Sequence, residues 1–504
     1  MSLLHIIEKR MNMKISEICN LNRNQNELDF VDIDVDNDMP LFLDPYFLSI
    51  RTDRWSLSAH RTLENFFQYM LHLFKNNKID EAQQNFRFTE PSETCLGLSK
   101  SGTQGKSIGD GDATKLFKYI IDSGVMDSGL VSHVNDIKIF VDNISHDKIS
   151  DLTTNVIRKH LIQYTQNQCQ LHNIELTRSI ATKEYWDIHS KTWINSYEDM
   201  LVINYKPILL IPKSIVCRKR GYAYDSSQYA RHFVLNFLVN EELRMNTSLV
   251  REQTLKSGAI KRFVKKDDAA TKYGAYKKEF LRWFTSQYPD FYEKFKASAK
   301  NRLTALTNEE LIDNYTNDFY SQIIDSLIYG FKEIKTGSKD ANTFHEHIIA
   351  TMTFLFYPSL INPVKEKEIH DGRKRIDLVY DNAAESGYFF GLSTVKDIPS
   401  SYIFVECKNY TKDIANPELD QLNGRFSPNR GKMGFMVFRN CSDETALFQR
   451  CSDYYNDNKN LIIPLQDKDF LKVLNQLKVD LDSDVSNSPQ EEMLYSLTQK
   501  IILS

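Results

Sequence analysis

This chain contains a strand-like run that indicates a chemistry, Tyr402-Ile403-Phe404-Val405-Glu406-Cys407-Lys408-Asn409-Tyr410. Its apolar and aromatic residues predict an extended strand, in which neighbouring side chains point to opposite faces of a sheet. Glu406 and Lys408 therefore project together, while Val405 and Cys407 point into a core. A carboxylate and a lysine on one face of a strand indicate a chemical site.

A second strand is predicted over residues 373–380, where a charged row alternates with an apolar row. The charged row consists of Arg373, Arg375 and Asp377. If the two strands are neighbours in one sheet, Asp377 lies beside Glu406.

The surrounding pattern predicts an αβββαβ order of elements. The predicted elements are a helix over 342–356, strands over 360–367, 373–380 and 402–409, a helix over 417–424 and a strand over 432–438. Residues 382–397 then form an inserted excursion between two strands. After residue 440 the pattern continues with a helix, a strand at 461–465 and a final helix.

Asp377, the triplet Glu406-Cys407-Lys408 and this order of elements resemble the PD-(D/E)xK nucleases, the restriction-endonuclease-like superfamily. The resemblance covers residues 340–480, which is less than a third of the chain. Further local similarity, to the restriction-endonuclease-like domains of bacterial antiviral defence proteins, lies in Asp371-Gly372-Arg373-Lys374-Arg375-Ile376-Asp377 and Asn416-Pro417-Glu418-Leu419-Asp420-Gln421-Leu422-Asn423-Gly424-Arg425-Phe426. The resemblance implies an endonuclease of prokaryotic antiphage defence.

The same resemblance implies a Mg²⁺-dependent hydrolysis of DNA phosphodiester bonds, in which Mn²⁺ can substitute. Hard oxygen ligands hold such a cation, which makes water nucleophilic and absorbs charge on the departing oxygen. Asp377 and Glu406 would be metal ligands, with the Cys407 carbonyl completing the inner shell. Lys408 would orient or deprotonate the attacking water, a role that suits lysine because its pKa falls readily near a metal or on burial.

The family often adds an acidic ligand from its first helix, and here the candidate is Glu346. Thr343 and Glu346 also fit a capping box, in which the glutamate only satisfies a backbone N–H at the helix start. The spacing fits both interpretations, and both stay open.

Contacts with nucleic acid are expected from Arg373, Arg375, Gln421, Lys265 and Lys266. The two lysines belong to residues 251–302, where 14 Lys and Arg face 6 Asp and Glu in a chain of net charge −4. Such a segment can neutralise phosphates. Its aromatic residues recur every three or four positions, which favours buried helix faces over a base-stacking platform.

Two alternatives stay open for the carboxylate and lysine pair. One is a cross-strand salt bridge without a chemical role, which contributes about 0–1 kcal/mol. The other is a catalytically silent module of the same fold that binds nucleic acid or a partner protein. Hydrolysis at a metal site does not itself distinguish DNA from RNA, so RNA also stays open as substrate.

The whole chain of 504 residues is too long for one core and predicts an α/β multidomain protein. We expect a mixed α/β recognition or regulatory domain over 1–200, a mostly helical basic region over 201–339, the nuclease-like domain over 340–480, and a polar tail with a short helix over 481–504. No apolar run reaches 18 residues, and no signal pattern begins the chain, so we expect a cytoplasmic protein without a membrane segment. A homodimer, which double-strand cutting often needs, and a defence-system partner protein are further expectations.

Two other stretches resemble ligand loops without fitting them. Residues 32–38 alternate Asp with Ile and Val, but Asn37 and Leu43 stand where a calcium loop needs glycine and glutamate. The alternation predicts a half-exposed edge strand instead. Residues 97–111 are glycine-rich, but Lys100 stands where a phosphate loop needs glycine, and we expect a flexible connection.

Overall fold

A computed structural model describes residues 13–86, 88–97, 117–123, 125, 130–218, 224–302, 304–312, 316–365, 378–481 and 488–503. The fold is mixed α/β. Within these ranges the buried apolar side chains form two large cores. The first draws on residues between Ile15 and Leu311, and the second on residues between Ile323 and Ile501 together with Leu171. No helix within the same ranges is long and apolar enough to cross a bilayer.

Helices build most of the first core. They are α1 (Ile15–Ile18), α2 (Pro45–Ile50), α3 (Arg54–Lys75), α4 (Ile79–Asn85), α5 (Val134–Phe140), α6 (His146–Leu171), α7 (Ser226–Tyr229), α8 (Leu235–Met245), α9 (Lys266–Tyr273), α10 (Lys278–Gln287), α11 (Pro289–Lys300) and α12 (Asn308–Leu311). The long helix α3 starts where the Asp53 side chain accepts a hydrogen bond from the Ser56 N–H. Ala59, Leu63 and Phe66 recur at helical spacing along its buried face, which packs against α6.

Short antiparallel strands complete the first half. They are β1 (Leu41–Leu43), β2 (Thr177–Ala181), β3 (Tyr185–Asp187), β4 (Thr192–Ile194), β5 (Tyr197–Ile203), β6 (Lys206–Ile208), β7 (Val216–Arg218), β8 (Arg251–Thr254) and β9 (Ile260–Phe263). Strand β1 pairs with β7, β5 pairs with β2 and β6, β3 pairs with β4, and β8 pairs with β9.

The second core surrounds a five-stranded sheet of strands β10 (Leu360–Val364), β11 (Leu378–Asn382), β12 (Tyr402–Lys408), β13 (Met433–Phe438) and β14 (Leu461–Gln466), which lie side by side in that order. Pairing is antiparallel from β10 to β12 and parallel from β12 to β14. The helices are α13 (Asn317–Glu333), α14 (Ala341–Phe356), α15 (Gly387–Thr394), α16 (Asn416–Asn423), α17 (Glu444–Asn458), α18 (Asp467–Asp480) and α19 (Pro489–Leu503). Every residue of β13 and β14 is buried, as expected of parallel strands covered on both faces.

The predicted elements of this half agree with the structure where it describes them. Helix α14 corresponds to the helix predicted at 342–356, and strands β12 and β13 correspond to those predicted at 402–409 and 432–438. The helix, strand and helix expected after residue 440 are α17, β14 and α18. The excursion over 382–397 contains α15, which is held to α19 because the Tyr388 hydroxyl lies 2.6 Å from Thr498 Oγ1.

The cores divide earlier along the chain than the predicted boundary at residue 339. Helix α13 places Ile324, Leu327 and Phe331 in the second core, because its apolar face packs against α14 and α18. The polar stretch that follows is tied down as well. The Asn409 side chain donates to the carbonyls of Lys335 and Gly337 at 2.9 and 2.8 Å.

The edge strand predicted at residues 32–38 is wrong. This stretch forms a loop, in which Asp34 makes an isolated bridge with Lys14. Asp32 is buried and accepts hydrogen bonds from the Ser16 N–H and hydroxyl at 2.9 and 2.8 Å. The Asp34 carboxylate accepts from the Asp36 N–H at 2.9 Å, a local turn that competes with a strand ladder.

Candidate active site

Glu406 lies on the middle strand of the five-stranded sheet and is fully buried. In the parallel ladder it is paired with Met436 of β13. Phe404 occupies the same face of β12 and packs against Phe426, with ring centroids 5.8 Å apart. The apolar surroundings keep water from the Glu406 carboxylate, so its charge depends on partners within the protein.

Two cations contact this carboxylate. Lys408 Nζ lies 2.5 Å from Glu406 Oε1, and Arg425 Nη1 lies 2.7 Å from Glu406 Oε2. Glu406 and Lys408 therefore share a face of β12, as the alternation predicts. Burying a carboxylate costs several kcal/mol unless charges and hydrogen bonds compensate it, and these two cations supply that compensation.

Arg425 belongs to the site, although the sequence alone does not predict a role for it. It lies in the turn after α16, just beyond Gly424. Its N–H donates to the Leu422 carbonyl at 3.1 Å, and its side chain is almost fully buried. Buried arginine is rare without an anionic partner. The signal in the sequence was its place in the stretch 416–426, close behind the lysine strand.

Gln421 also reaches the site from α16. Its Oε1 accepts a hydrogen bond from Lys408 Nζ at 3.4 Å, which is long for a hydrogen bond. Helix α16 and the turn after it therefore contribute one weak contact, from Gln421, and one strong contact, from Arg425, to the charged pair on β12.

Cys407 points to the other face of β12, where its half-buried thiol packs against the second core. Only its backbone carbonyl was predicted as a ligand, and that prediction does not depend on the side chain. Lys408 additionally lies over the Tyr410 ring, at 5.9 Å from its centroid.

Three predicted site residues lie outside the described part of the chain, namely Asp377, Arg373 and Arg375. The same holds for the glycine-rich stretch beyond Gly97 up to residue 111. The first described residue of β11 is Leu378, which pairs with Val405, the neighbour of Glu406.

Glu346 lies exposed on α14, and its Oε1 accepts a hydrogen bond from the Asn173 side chain at 2.8 Å. The capping-box interpretation of Thr343 and Glu346 is wrong, because α14 begins at Ala341. A 3₁₀ turn over Ser338–Asp340 leads directly into the helix and moves its start towards the N-terminus.

The predicted basic contacts lie in the first half of the molecule. Lys265 is exposed just before α9, and Lys266 Nζ donates to the Arg231 carbonyl at 3.1 Å. Nearby aromatic residues divide into buried ones, such as Phe284 and Phe295, and exposed ones, such as Trp283. The prediction of buried helix faces is thus confirmed for part of this segment.

Within the described ranges, no three His, Cys, Asp or Glu side chains are arranged to hold a metal ion. Of the predicted ligand set, the structure describes the carboxylates of Glu406 and Glu346, and Cys407 adjoins Glu406 in sequence. A carboxylate and a backbone carbonyl are hard oxygen donors, which suit Mg²⁺.

A family model described as a domain of unknown function, DUF8370, matches residues 20–223. This match covers less than half of the chain and ends well before Glu406. No curated protein and no solved structure matches the chain.

Proposed function

We propose that the chain is a Mg²⁺-dependent endonuclease that hydrolyses DNA phosphodiester bonds and acts in prokaryotic antiphage defence. The observation that carries this proposal is the buried Glu406 on the central strand, with Lys408 Nζ at 2.5 Å on the same face. A buried carboxylate in contact with a partly buried lysine is an arrangement suited to proton transfer and charge neutralisation. The order of helices and strands around them supports the same proposal.

In this proposal Asp377, Glu406 and the Cys407 carbonyl hold Mg²⁺, with Glu346 as a further candidate ligand. The cation supplies polarisation of the phosphate and of the attacking water. Lys408 orients or deprotonates that water and offsets negative charge on the phosphate. Gln421, next to Lys408, contacts the lysine or the nucleic acid. Mn²⁺ substitutes for Mg²⁺, and RNA is the alternative substrate.

A second candidate function is a catalytically silent module that binds nucleic acid or a protein partner. One observation favours it, because both Glu406 oxygens already contact cations, Lys408 on one side and Arg425 on the other. A metal ion at Glu406 has to replace or rearrange one of these contacts. The nuclease proposal therefore requires Lys408 or Arg425 to move when Mg²⁺ binds.

Plasmid cleavage in Mg²⁺ tests the proposal. We expect Glu406→Gln and Lys408→Ala each to lower the cleavage rate by roughly 10²–10⁴-fold, because each removes a group from the reacting site. Glutamine keeps the size of the buried side chain, but its single amide oxygen can accept a hydrogen bond from only one of Lys408 and Arg425 in this arrangement. The matched controls are Glu385→Gln and Lys472→Ala, which change exposed residues of the same half and should cleave like the unmodified protein.

Full cleavage by both site variants would remove the nuclease proposal. If the unmodified protein retains DNA in a gel but does not cut it with Mg²⁺, Mn²⁺ or any other divalent ion, the silent binding module replaces it. A folded far-ultraviolet circular dichroism spectrum for each variant excludes loss of structure as the reason for lost cleavage.

A further inference from the structure

A cavity of about 300 Å³ lies where the first half of the molecule meets the sheet of the second half. Helices α3 and α6 provide one wall, and strands β10, β11 and β12 provide the other. Its volume is at the lower end of the range for small-molecule sites. It is distinct from the charged pair, because on β12 it is lined by Tyr402 and Phe404 rather than by Glu406 and Lys408.

Aromatic side chains form much of the cavity wall. Trp55 and Tyr164 approach each other edge to face, with ring centroids 6.0 Å apart. Phe404, from the sheet, lines the same cavity. Flat apolar surfaces of this kind accommodate a planar ring by stacking and by burial of its faces.

Polar atoms interrupt the aromatic wall at defined places. Gln168 Oε1, Asn362 Oδ1 and Trp55 Nε1 are buried, and none of them has a hydrogen-bond partner among the described residues. Gln168 is fully buried and Asn362 nearly so. Unpaired buried polar atoms are costly, so three of them around one cavity indicate a ligand edge that pairs with them.

The two amide groups are oriented by their own donors. Gln168 Nε2 donates to the Pro363 carbonyl at 3.2 Å, and Asn362 Nδ2 donates to Asp381 Oδ2 at 3.0 Å. Both oxygens are therefore left as acceptors. Two acceptors suit a ring that carries an amino group.

Asp381 lines the same cavity. Burial, together with the nearby Asp53, raises the pKa of the Asp381 carboxyl to about 7. Near neutral pH this carboxyl exists in both protonation states. It can therefore donate a hydrogen bond to a ligand when protonated and accept one from a ligand when ionised.

Positive charge lines the cavity as well. Arg54 and Arg430 both contribute to it, and both are exposed to solvent. Arg54 Nη1 donates to the Tyr402 hydroxyl at 2.7 Å. Arg54 and Tyr402 also line a neighbouring cleft of about 700 Å³, which offers a route for a ligand from solvent. Guanidinium groups in this position suit a phosphate.

We infer that this cavity binds a nucleoside monophosphate unit whose base carries an amino group. The base lies between Trp55, Tyr164 and Phe404, and its amino group donates to Gln168 Oε1 and Asn362 Oδ1. The phosphate binds Arg54 and Arg430. The unit is either a free nucleotide or one nucleotide of a single strand. This site goes beyond the proposed nuclease function, since it uses none of the cleavage residues and needs no metal.

Isothermal titration of the full chain with adenosine monophosphate, without divalent ions, tests this inference. We expect binding at one site per chain. Inosine monophosphate, which has a carbonyl in place of the amino group, should bind roughly tenfold more weakly because it leaves the two acceptors unpaired. Inorganic phosphate alone should not compete at the same concentration.

The matched variants are Arg54→Gln and Arg61→Gln, which change two exposed arginines of α3. Arg54→Gln should weaken adenosine monophosphate binding roughly tenfold and leave binding of uncharged adenosine unchanged, because only the phosphate contact is lost. Arg61→Gln should bind adenosine monophosphate like the unmodified protein.

A short oligodeoxyadenylate distinguishes the two sources of the ligand. If it displaces adenosine monophosphate, the site accepts a nucleotide of a strand, and if it does not, the site takes the free nucleotide. The inference is overturned if neither probe binds, if adenosine and inosine monophosphates bind equally, if phosphate alone competes, or if the two arginine variants behave alike. Cleavage plays no part in these measurements, so their failure leaves the nuclease proposal standing.

Discussion

Two carboxylates are buried on the same face of the C-terminal sheet, and the protein compensates them in different ways. Glu406 of β12 contacts the cations of Lys408 and Arg425. Asp381 of β11, paired with Tyr402, accepts hydrogen bonds from the Asn362 side chain and the backbone N–H of Trp55, and the nearby Asp53 adds like charge. These two buried carboxylates therefore differ in their chemistry. Glu406 is held as one member of a charged cluster, whereas Asp381 is a carboxyl that takes up a proton near neutral pH.

Glu406, Lys408 and Arg425 form one charged cluster, the Glu406 cluster. The largest effect on stability is expected from removing one of its two cations. Arg425→Ala leaves the buried carboxylate with Lys408 alone and should lower the free energy of unfolding by about 3–5 kcal/mol, as for other broken buried ion pairs. Urea denaturation measures this change. Arg430→Ala, an exposed arginine of the same half, is the control and should cost less than about 1 kcal/mol. A similar small cost for Arg425→Ala would show that Glu406 does not depend on it.

The pH dependence of stability tests the raised pKa of Asp381. Its pKa is raised from 3.8 to about 7 in the folded protein, so the folded state holds this proton more tightly than the unfolded chain. Its contribution to the free energy of unfolding is full below about pH 4, declines as the pH rises to about 7, and is constant above that. Asp381→Asn removes the decline.

When the pH is raised from about 5 to about 8, the free energy of unfolding of the Asp381→Asn variant should therefore increase by on the order of 3 kcal/mol relative to that of the unmodified protein. Denaturation at the two pH values measures the gain. Asp397→Asn changes a well-exposed carboxylate of the same half and should show no such gain. Equal pH dependence in the Asp381→Asn variant and the unmodified protein would contradict the raised pKa.

The smallest effect is expected at the edge of the Glu406 cluster. Gln421→Ala removes the 3.4 Å hydrogen bond from Lys408 and should cost less than about 1 kcal/mol in stability, because so long a contact is weak. Plasmid cleavage should fall less than roughly tenfold. Gln476→Ala on α18 is the control. A loss of cleavage as large as that of Lys408→Ala would instead assign Gln421 a direct part in the reaction.

The contact between Glu406 and Lys408 could be predicted from the sequence, because it depends on neighbouring residues of one strand. Strand alternation alone puts Glu406 beside Lys408, and helical and strand periodicities place the neighbouring elements. Arg425 was harder to assign, since its partner lies 19 positions earlier in the chain and on another element. Only the turn after α16 brings the two together.

The environment of the Asp381 carboxyl could not be predicted from the sequence, because it is formed by residues from distant parts of the chain. Asn362, Asp53 and Trp55 reach it from another strand and from the first core. The prediction of an edge strand at residues 32–38 is wrong for the same reason. Its alternation fits an edge strand, but the contact of Asp32 with Ser16 and the turn at Asp34 decide the conformation.

Strand β10 joins the two halves through one irregular residue. Asn362 has a positive φ of 51° within the register shift of β10, and its N–H donates to Asp29 of the first core at 3.1 Å. Its side chain meanwhile reaches both Asp53 and Asp381. The C-terminal half is consequently not an interchangeable cassette. If it were fused to another protein, its acidic and amide groups at this junction would lose the hydrogen-bond partners that the first half of the molecule provides.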